Sequence, residues 1–131
     1  MVIVDTSVWI DYLRGVPSPH VDWLETEMDR QRLGLTDLIL CEVLQGITDD
    51  KQFAEIRREL LKFEVFNMGG AQLAVTAAQN YRILRTKGRT VRKTIDCLIA
   101  TFCIVHDHSL LHNDSDFDAF EKQLNLRVVH L

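Results

Sequence analysis

Val2-Ile3-Val4-Asp5-Thr6-Ser7-Val8-Trp9-Ile10 decides the fold. Its first three residues form a short, fully apolar run that stops at an acid, the signature of a buried parallel strand. Burial on both faces requires helices on both sides of the sheet. Thr6 and Ser7 offer N-cap hydroxyls, and Val8, Trp9, Ile10 and Leu13 give a short helix ending near Gly15, Pro17 and Pro19. Working outward, a second helix is expected from about Val21 to Arg30 and a weak strand at Leu33-Gly34-Leu35. Thr36 or Asp37 then caps an apolar helix from Leu38 to Gln45.

The alternation continues to the end of the chain. Asp49-Asp50 cap an amphipathic pattern through Phe53, Ile56, Leu60 and Leu61, followed by a strand within Glu64 to Met68. Gly69-Gly70 precede a long helix from Leu73 to Leu84, and Thr94 caps Ile95 to Val105, which is apolar nearly all round and is expected to be the central buried helix. Leu110-Leu111 reads as a strand, Phe117 and Phe120 lie on a last helix, and Val128-Val129 close the pattern. Strands alternating with helices imply an α/β fold with a mostly parallel, doubly wound sheet, residues 1–131 forming a single domain.

Composition agrees. The chain has 131 residues, 47% hydrophobic and 26% charged, which supports a core without disulfides or structural metal and excludes disorder as the main state. Its longest apolar run, Cys97 to Val105, is far short of the roughly 18 residues of a membrane span, and Met1 to Val4 show no basic region or cleavage pattern, so no signal peptide is expected. A cytoplasmic protein is expected. Cys41, Cys97 and Cys103 follow no disulfide or metal spacing and read as reduced thiols.

Ligands of such sheets bind at the carboxyl ends of the strands, and the acids collect there. Asp5 closes the first strand, Glu42 stands one turn into the helix after the second, Asp96 begins the buried helix, and Asp114 and Asp116 follow the fourth strand. Any one of them is explained by helix capping, and Asp37, Asp49, Asp50 and Asp118 are assigned to that role. Asp5, Glu42 and Asp96, embedded in apolar runs with no adjacent base, are costly to bury without a compensating charge. A magnesium or manganese ion supplies it, since hard cations take oxygen ligands and bridge to phosphates.

The net charge of −4 hides a basic strip: Arg82, Arg85, Lys87, Arg89, Arg92 and Lys93 lie within twelve residues that contain no acid. A solvated helix face is the ordinary fate of such a run. The functional reading is contact with an anionic substrate, with Arg92 and Lys93, just before Asp96, as the foremost candidates.

Taken together, Val2 to Ile10, Glu42-Val43-Leu44-Gln45-Gly46, Ile95-Asp96-Cys97-Leu98-Ile99-Ala100 and Leu110 to Phe117 resemble the PIN-domain ribonucleases, above all the VapC toxins. The resemblance spans essentially the whole chain in order and spacing. It implies a PIN-like sandwich, magnesium- or manganese-dependent cleavage of structured RNA such as tRNA or rRNA, and inhibition by a VapB-type antitoxin. It also implies a homodimer that can join a larger hetero-oligomer with the antitoxin. The family's acidic quartet falls on Asp5, Glu42, Asp96 and Asp114, with Asp116 as an additional acid and Ser7 orienting Asp5. Asn113 departs from the threonine or serine frequent before the fourth acid, and Asp114 and Asp116 could exchange roles.

Other chemistries fit less well. Cys103, His106 and His108 match no zinc spacing, and the histidines are expected to be solvent-exposed at a helix end. His112 is nearer the acids and could touch substrate, but a packed or solvated residue at a strand end is the default expectation. Ser7 lacks a nucleophile elbow. A receiver domain needs paired acids after the first strand and a late lysine, and a haloacid-dehalogenase-type phosphatase needs an aspartate where Ser7 stands. Trp9, Ile10, Leu13, Trp23 and Leu24 fit either a partner groove or core packing. A non-catalytic RNA- or protein-binding module of the same fold is the remaining alternative to the nuclease.

Overall fold

In the computed structural model, which describes residues 1–131, Val2–Val4 forms strand β1 and all three side chains are buried. It is followed by helices α1 (Thr6–Arg14) and α2 (Pro19–Glu27), strand β2 (Leu33–Thr36), and helices α3 (Asp37–Gln45) and α4 (Asp50–Leu60). Strand β3 (Glu64–Phe66) then leads to the long helices α5 (Ala71–Thr86) and α6 (Thr94–Val105). Strand β4 (Ser109–Leu111), a 3₁₀ turn (Ser115–Phe117), helix α7 (Asp118–Leu124) and strand β5 (Arg127–Val128) complete the chain.

The sheet has the order β3-β2-β1-β4-β5, and every pairing is parallel. The chain winds outward from β1 to β3, then crosses back to β4 and β5. The order therefore reverses between β1 and β4, where Ile3 stands opposite Leu110, and this switch point fixes where a ligand site forms. Contacts divide the helices into two groups, α1 to α4 and α5 to α7. All of β2 is buried as well, as the two-sided burial of a parallel sheet requires. Gly34 is needed on β2 because a Cβ there would come within 2.9 Å of Phe66 Cε2 and 3.0 Å of the Glu64 carbonyl oxygen.

Local signals explain most boundaries, with four corrections. The cap of α1 is Asp5, whose carboxylate accepts the Ser7 amide, so Thr6 and Ser7 are helical residues rather than caps. Helix α2 starts at Pro19 under a Ser18 cap, because a proline at the first helical position lacks only an N–H that would have no partner, and it stops at Glu27. Thr94 is the first residue of α6 and not its cap; Lys93 holds the extended cap backbone and supplies no side-chain bond. Phe117 sits in the 3₁₀ turn, which Asp114 caps, so the last helix begins only at Asp118. Thr36 and Asp49 cap α3 and α4 by accepting from Ile39 and Gln52.

One core cluster of 25 buried residues joins the sheet to both helix groups. Trp9, Leu24, Phe117 and Phe120 are fully buried in it, each worth about 1.5–3 kcal/mol in transfer terms. Trp9 and Leu24 thus belong to the core, not to a groove. No helix is long and apolar enough to cross a membrane.

Candidate active site

Asp5 follows β1 at the switch point and is 4% exposed. Its Oδ2 accepts the Ser7 amide at 3.2 Å and the Ser7 hydroxyl at 2.7 Å. Burial pushes its pKa up from 3.8 to about 6; the Ser7 bonds pull it down and the Glu42 charge adds to the rise. The Ser7 hydroxyl in turn accepts the Asn113 amide at 3.2 Å, tying the end of β1 to the loop after β4. Glu42, half-buried on α3, is held from α1 by the Thr6 hydroxyl, which donates to its Oε1 at 2.8 Å.

Asp96 stands in the first turn of α6 and is 6% exposed. Burial first, then the charges of Asp5 and Asp114, push its pKa to about 7, against a smaller pull from Lys93. Its Oδ2 is buried and has no hydrogen-bond partner. One carboxylate oxygen from each of Asp96, Asp114 and Asp116 lies within 4.8 Å of the others. The Asp116 amide donates to Asp114 Oδ1 at 2.9 Å, and Arg92 Nη2 reaches Asp116 Oδ1 at 3.0 Å.

An orphaned buried carboxylate oxygen beside two further carboxylates is an electrostatic liability that a cation removes. The donors are all oxygen, with no thiolate or imidazole among them, which fits a hard ion such as magnesium or manganese. Asp96, Asp114 and Asp116 form the close trio. Asp5 and Glu42 lie outside it, near enough for their charges to raise the pKa of Asp96. Of the two predicted basic residues, Arg92 is engaged with Asp116 and Lys93 acts on Asp96 through its charge.

Two contributors escaped sequence reasoning. Thr6 looked like a cap hydroxyl, but it holds an acid 36 residues away. His112, expected to be an ordinary strand-end residue, accepts the Asp114 amide on Nδ1 at 3.1 Å; its burial lowers its pKa and keeps the ring neutral. Elsewhere, His106 is exposed as expected, but His108 is half-buried against Phe66 (5.2 Å) and Phe102 (5.6 Å), and burial lowers its pKa instead of favouring the cation. Burial also pushes the Cys103 thiol up to about 12, so it stays protonated in the core.

Carboxylates gathered at the switch point of a parallel α/β sheet, one of them with an orphaned oxygen, are compatible with a hard cation held by oxygen donors. Residues 2–123 match the model of the PIN domain. The chain is 33% identical over 131 residues to ribonuclease VapC11 of Mycobacterium tuberculosis and to a VapC ribonuclease of Mycobacterium bovis. Each alignment covers 98% of this chain and 97% of the relative. Among solved structures, the fold matches that of VapBC2 from Rickettsia felis bound to a promoter DNA fragment, with a TM-score of 0.79 at 18% identity over 100% of this chain and 99% of that one. It also matches DNA-bound VapBC from Salmonella typhimurium, with a TM-score of 0.76 at 20% identity over 98% and 96% of the two chains. The chain belongs to the PIN-domain family, in the group of the VapC ribonucleases.

Proposed function

We propose that the chain is a magnesium- or manganese-dependent endoribonuclease toxin that hydrolyses phosphodiester bonds of structured RNA, tRNA or rRNA, and is inhibited by a VapB-type antitoxin. The observation that carries this reading is the buried Asp96, whose Oδ2 has no hydrogen-bond partner and which offers a carboxylate oxygen within 4.8 Å of oxygens of Asp114 and Asp116. The 33% identity to ribonucleases over nearly the full chain supports the substrate class. Structural neighbours that are toxin-antitoxin complexes support the partner. A homodimer that assembles further with the antitoxin in the cytoplasm is part of the same proposal.

Asp96, Asp114 and Asp116 would hold the ion, with Asp5 completing the site. When bound, magnesium or manganese supplies Lewis acidity and neutralises the charge that develops during phosphodiester hydrolysis. Ser7 keeps the Asp5 carboxylate in one orientation and favours its ionised form. Glu42, with Oε1 held by Thr6, orients the attacking water through its free Oε2. Arg92 and Lys93 hold the RNA backbone beside the acids. No side chain of the protein is required as a nucleophile.

The test is incubation of purified protein, freed of any copurifying partner, with total tRNA and rRNA in magnesium, manganese or chelator, beside Asp96→Asn. Discrete fragments that need metal and vanish in the variant are expected. Folded protein that cuts nothing under any metal would point instead to a binding module of the same fold or to an RNA target outside the mixture.

A further inference from the structure

The segment after β4 commits its backbone N–H groups to side chains. Asn113 donates to Ser7 Oγ at 3.2 Å, Asp114 to His112 Nδ1 at 3.1 Å, and Asp116 to Asp114 Oδ1 at 2.9 Å. Ser7 and Asp114 belong to the site already described. His112 touches that site only through the bond it accepts from the Asp114 amide: its ring is 8% exposed and packs 4.9 Å from Phe117.

Because Nδ1 accepts a hydrogen bond, the neutral ring carries its proton on Nε2. Nε2 is buried without a partner, and His112 lines a cavity of about 270 Å³ together with His20, Asp118, Glu121 and His130. A protonated nitrogen cannot ligate a cation, so His112 cannot complete a second metal cage with these residues. The one interaction this side chain makes toward the chemistry is through Nδ1.

We infer that His112 is a positioning residue whose Nδ1 fixes the Asp114 peptide and thereby aims the Asp114 carboxylate at the oxygens of Asp96 and Asp116. The inference rests on the metal-site reading above. Asp114 follows a strand and precedes a 3₁₀ turn, so its peptide lacks the continuous ladder that would otherwise set its plane. The ring is immobilised by burial and by Phe117, which makes Nδ1 a fixed acceptor. Groups that orient ligands in this way are commonly worth about 10–100-fold in metal affinity.

Substitutions can separate the acceptor from the ring. In His112→Asn, Oδ1 lies the same number of bonds from the backbone as Nδ1 and can accept the Asp114 amide. His112→Gln places its oxygen one bond further out, and His112→Phe keeps the ring without an acceptor. The experiment is Mn²⁺ titration by calorimetry, with Tm measured in parallel, on full-length wild type and the three variants without RNA. We expect Phe and Gln to weaken Mn²⁺ binding by about tenfold or more, and Asn to stay close to wild type, whatever the order of the Tm values. Should the Phe variant not fold, the Asn and Gln pair decides alone. Phe binding as tightly as wild type, or Asn losing as much affinity as Phe or Gln, would overturn the inference and leave His112 a packing residue. Wild type that binds no Mn²⁺ overturns the metal reading and this inference with it, whereas equal binding by all four proteins overturns the inference alone.

Discussion

Ser7 Oγ donates to Asp5 Oδ2 at 2.7 Å while accepting the Asn113 amide at 3.2 Å, so one hydroxyl couples the acid after β1 to the loop that carries Asp114. That hydroxyl is also the largest influence lowering the Asp5 pKa against the desolvation that lifts it to about 6. Ser7→Ala is therefore expected to raise the Asp5 pKa further and to weaken cleavage at neutral pH by on the order of tenfold, with part of the loss recovered at pH 8–9. A pH–rate profile checks this. A profile parallel to that of wild type would assign Ser7 to packing only.

Two buried carboxylates that retain their protons also set how the metal-free protein responds to pH. The unfolded chain releases these protons near 3.8, whereas the folded protein releases them at about 6 from Asp5 and about 7 from Asp96. Between those limits the folded state binds more protons, so this contribution makes stability fall as pH rises from about 4 to about 7 and level off above. Asp96→Asn carries no charge to bury. It is expected to raise stability in chelator at pH 8 by on the order of 2–4 kcal/mol at most, given about 1.4 kcal/mol per tenfold change in proton affinity, and Tm with it, and to change Tm little near pH 4. Manganese should stabilise wild type at pH 8 and the variant much less. Calorimetry showing no pH-dependent difference between the two proteins would contradict the assignment of Asp96 as the protonated acid.

How much of this was legible in the sequence follows from the range of each signal. Val2-Ile3-Val4-Asp5 disclosed a two-sided buried strand and the acid at its end, because strand patterning and the carboxyl-edge position of ligands are both local. The five acids could be named for the same reason. Their roles could not be divided: that Asp116 joins Asp96 and Asp114 depends on the 3₁₀ turn capped by Asp114, which a single short Ser-Asp-Phe stretch does not announce. Thr6 and His112 were missed because a hydroxyl after a strand looks like a cap and a lone histidine looks like packing. Their partners, Glu42 and the Asp114 peptide, are chosen by tertiary geometry.

The close approach of β3 to β2 gives a prediction about the fold alone. Gly34 stands opposite Glu64, and a Cβ added there meets Phe66 Cε2 at 2.9 Å, the Glu64 carbonyl oxygen at 3.0 Å and Met1 Sδ at 3.1 Å. The methionine can move, but the carbonyl belongs to the paired strand and cannot yield without shifting the ladder. Gly34→Ala is expected to destabilise by about 1–3 kcal/mol, lowering Tm by several degrees. Thermal melts check this, and an unchanged Tm would mean that β3 shifts freely.

In the proposed site, Arg92 and the ion would compete for one carboxylate. Arg92 Nη2 lies 3.0 Å from Asp116 Oδ1, and Asp116 also contributes an oxygen to the trio with Asp96 and Asp114. The arginine side chain is 73% exposed against 18% for the acid, so solvent screens the pair and it contributes little to stability. Under the proposed function, the guanidinium would leave Asp116 for an RNA phosphate when a cation takes over the carboxylate. Arg92→Ala should therefore change two affinities in opposite directions: Mn²⁺ binds more tightly in the absence of RNA, whereas KM for RNA rises and the slope of log affinity against log salt falls by about one phosphate contact. Tm stays within a degree or two of wild type. If KM and salt slope match wild type while Mn²⁺ binding tightens, Arg92 only neutralises Asp116, and the backbone contact falls to Lys93, whose replacement must then produce the loss.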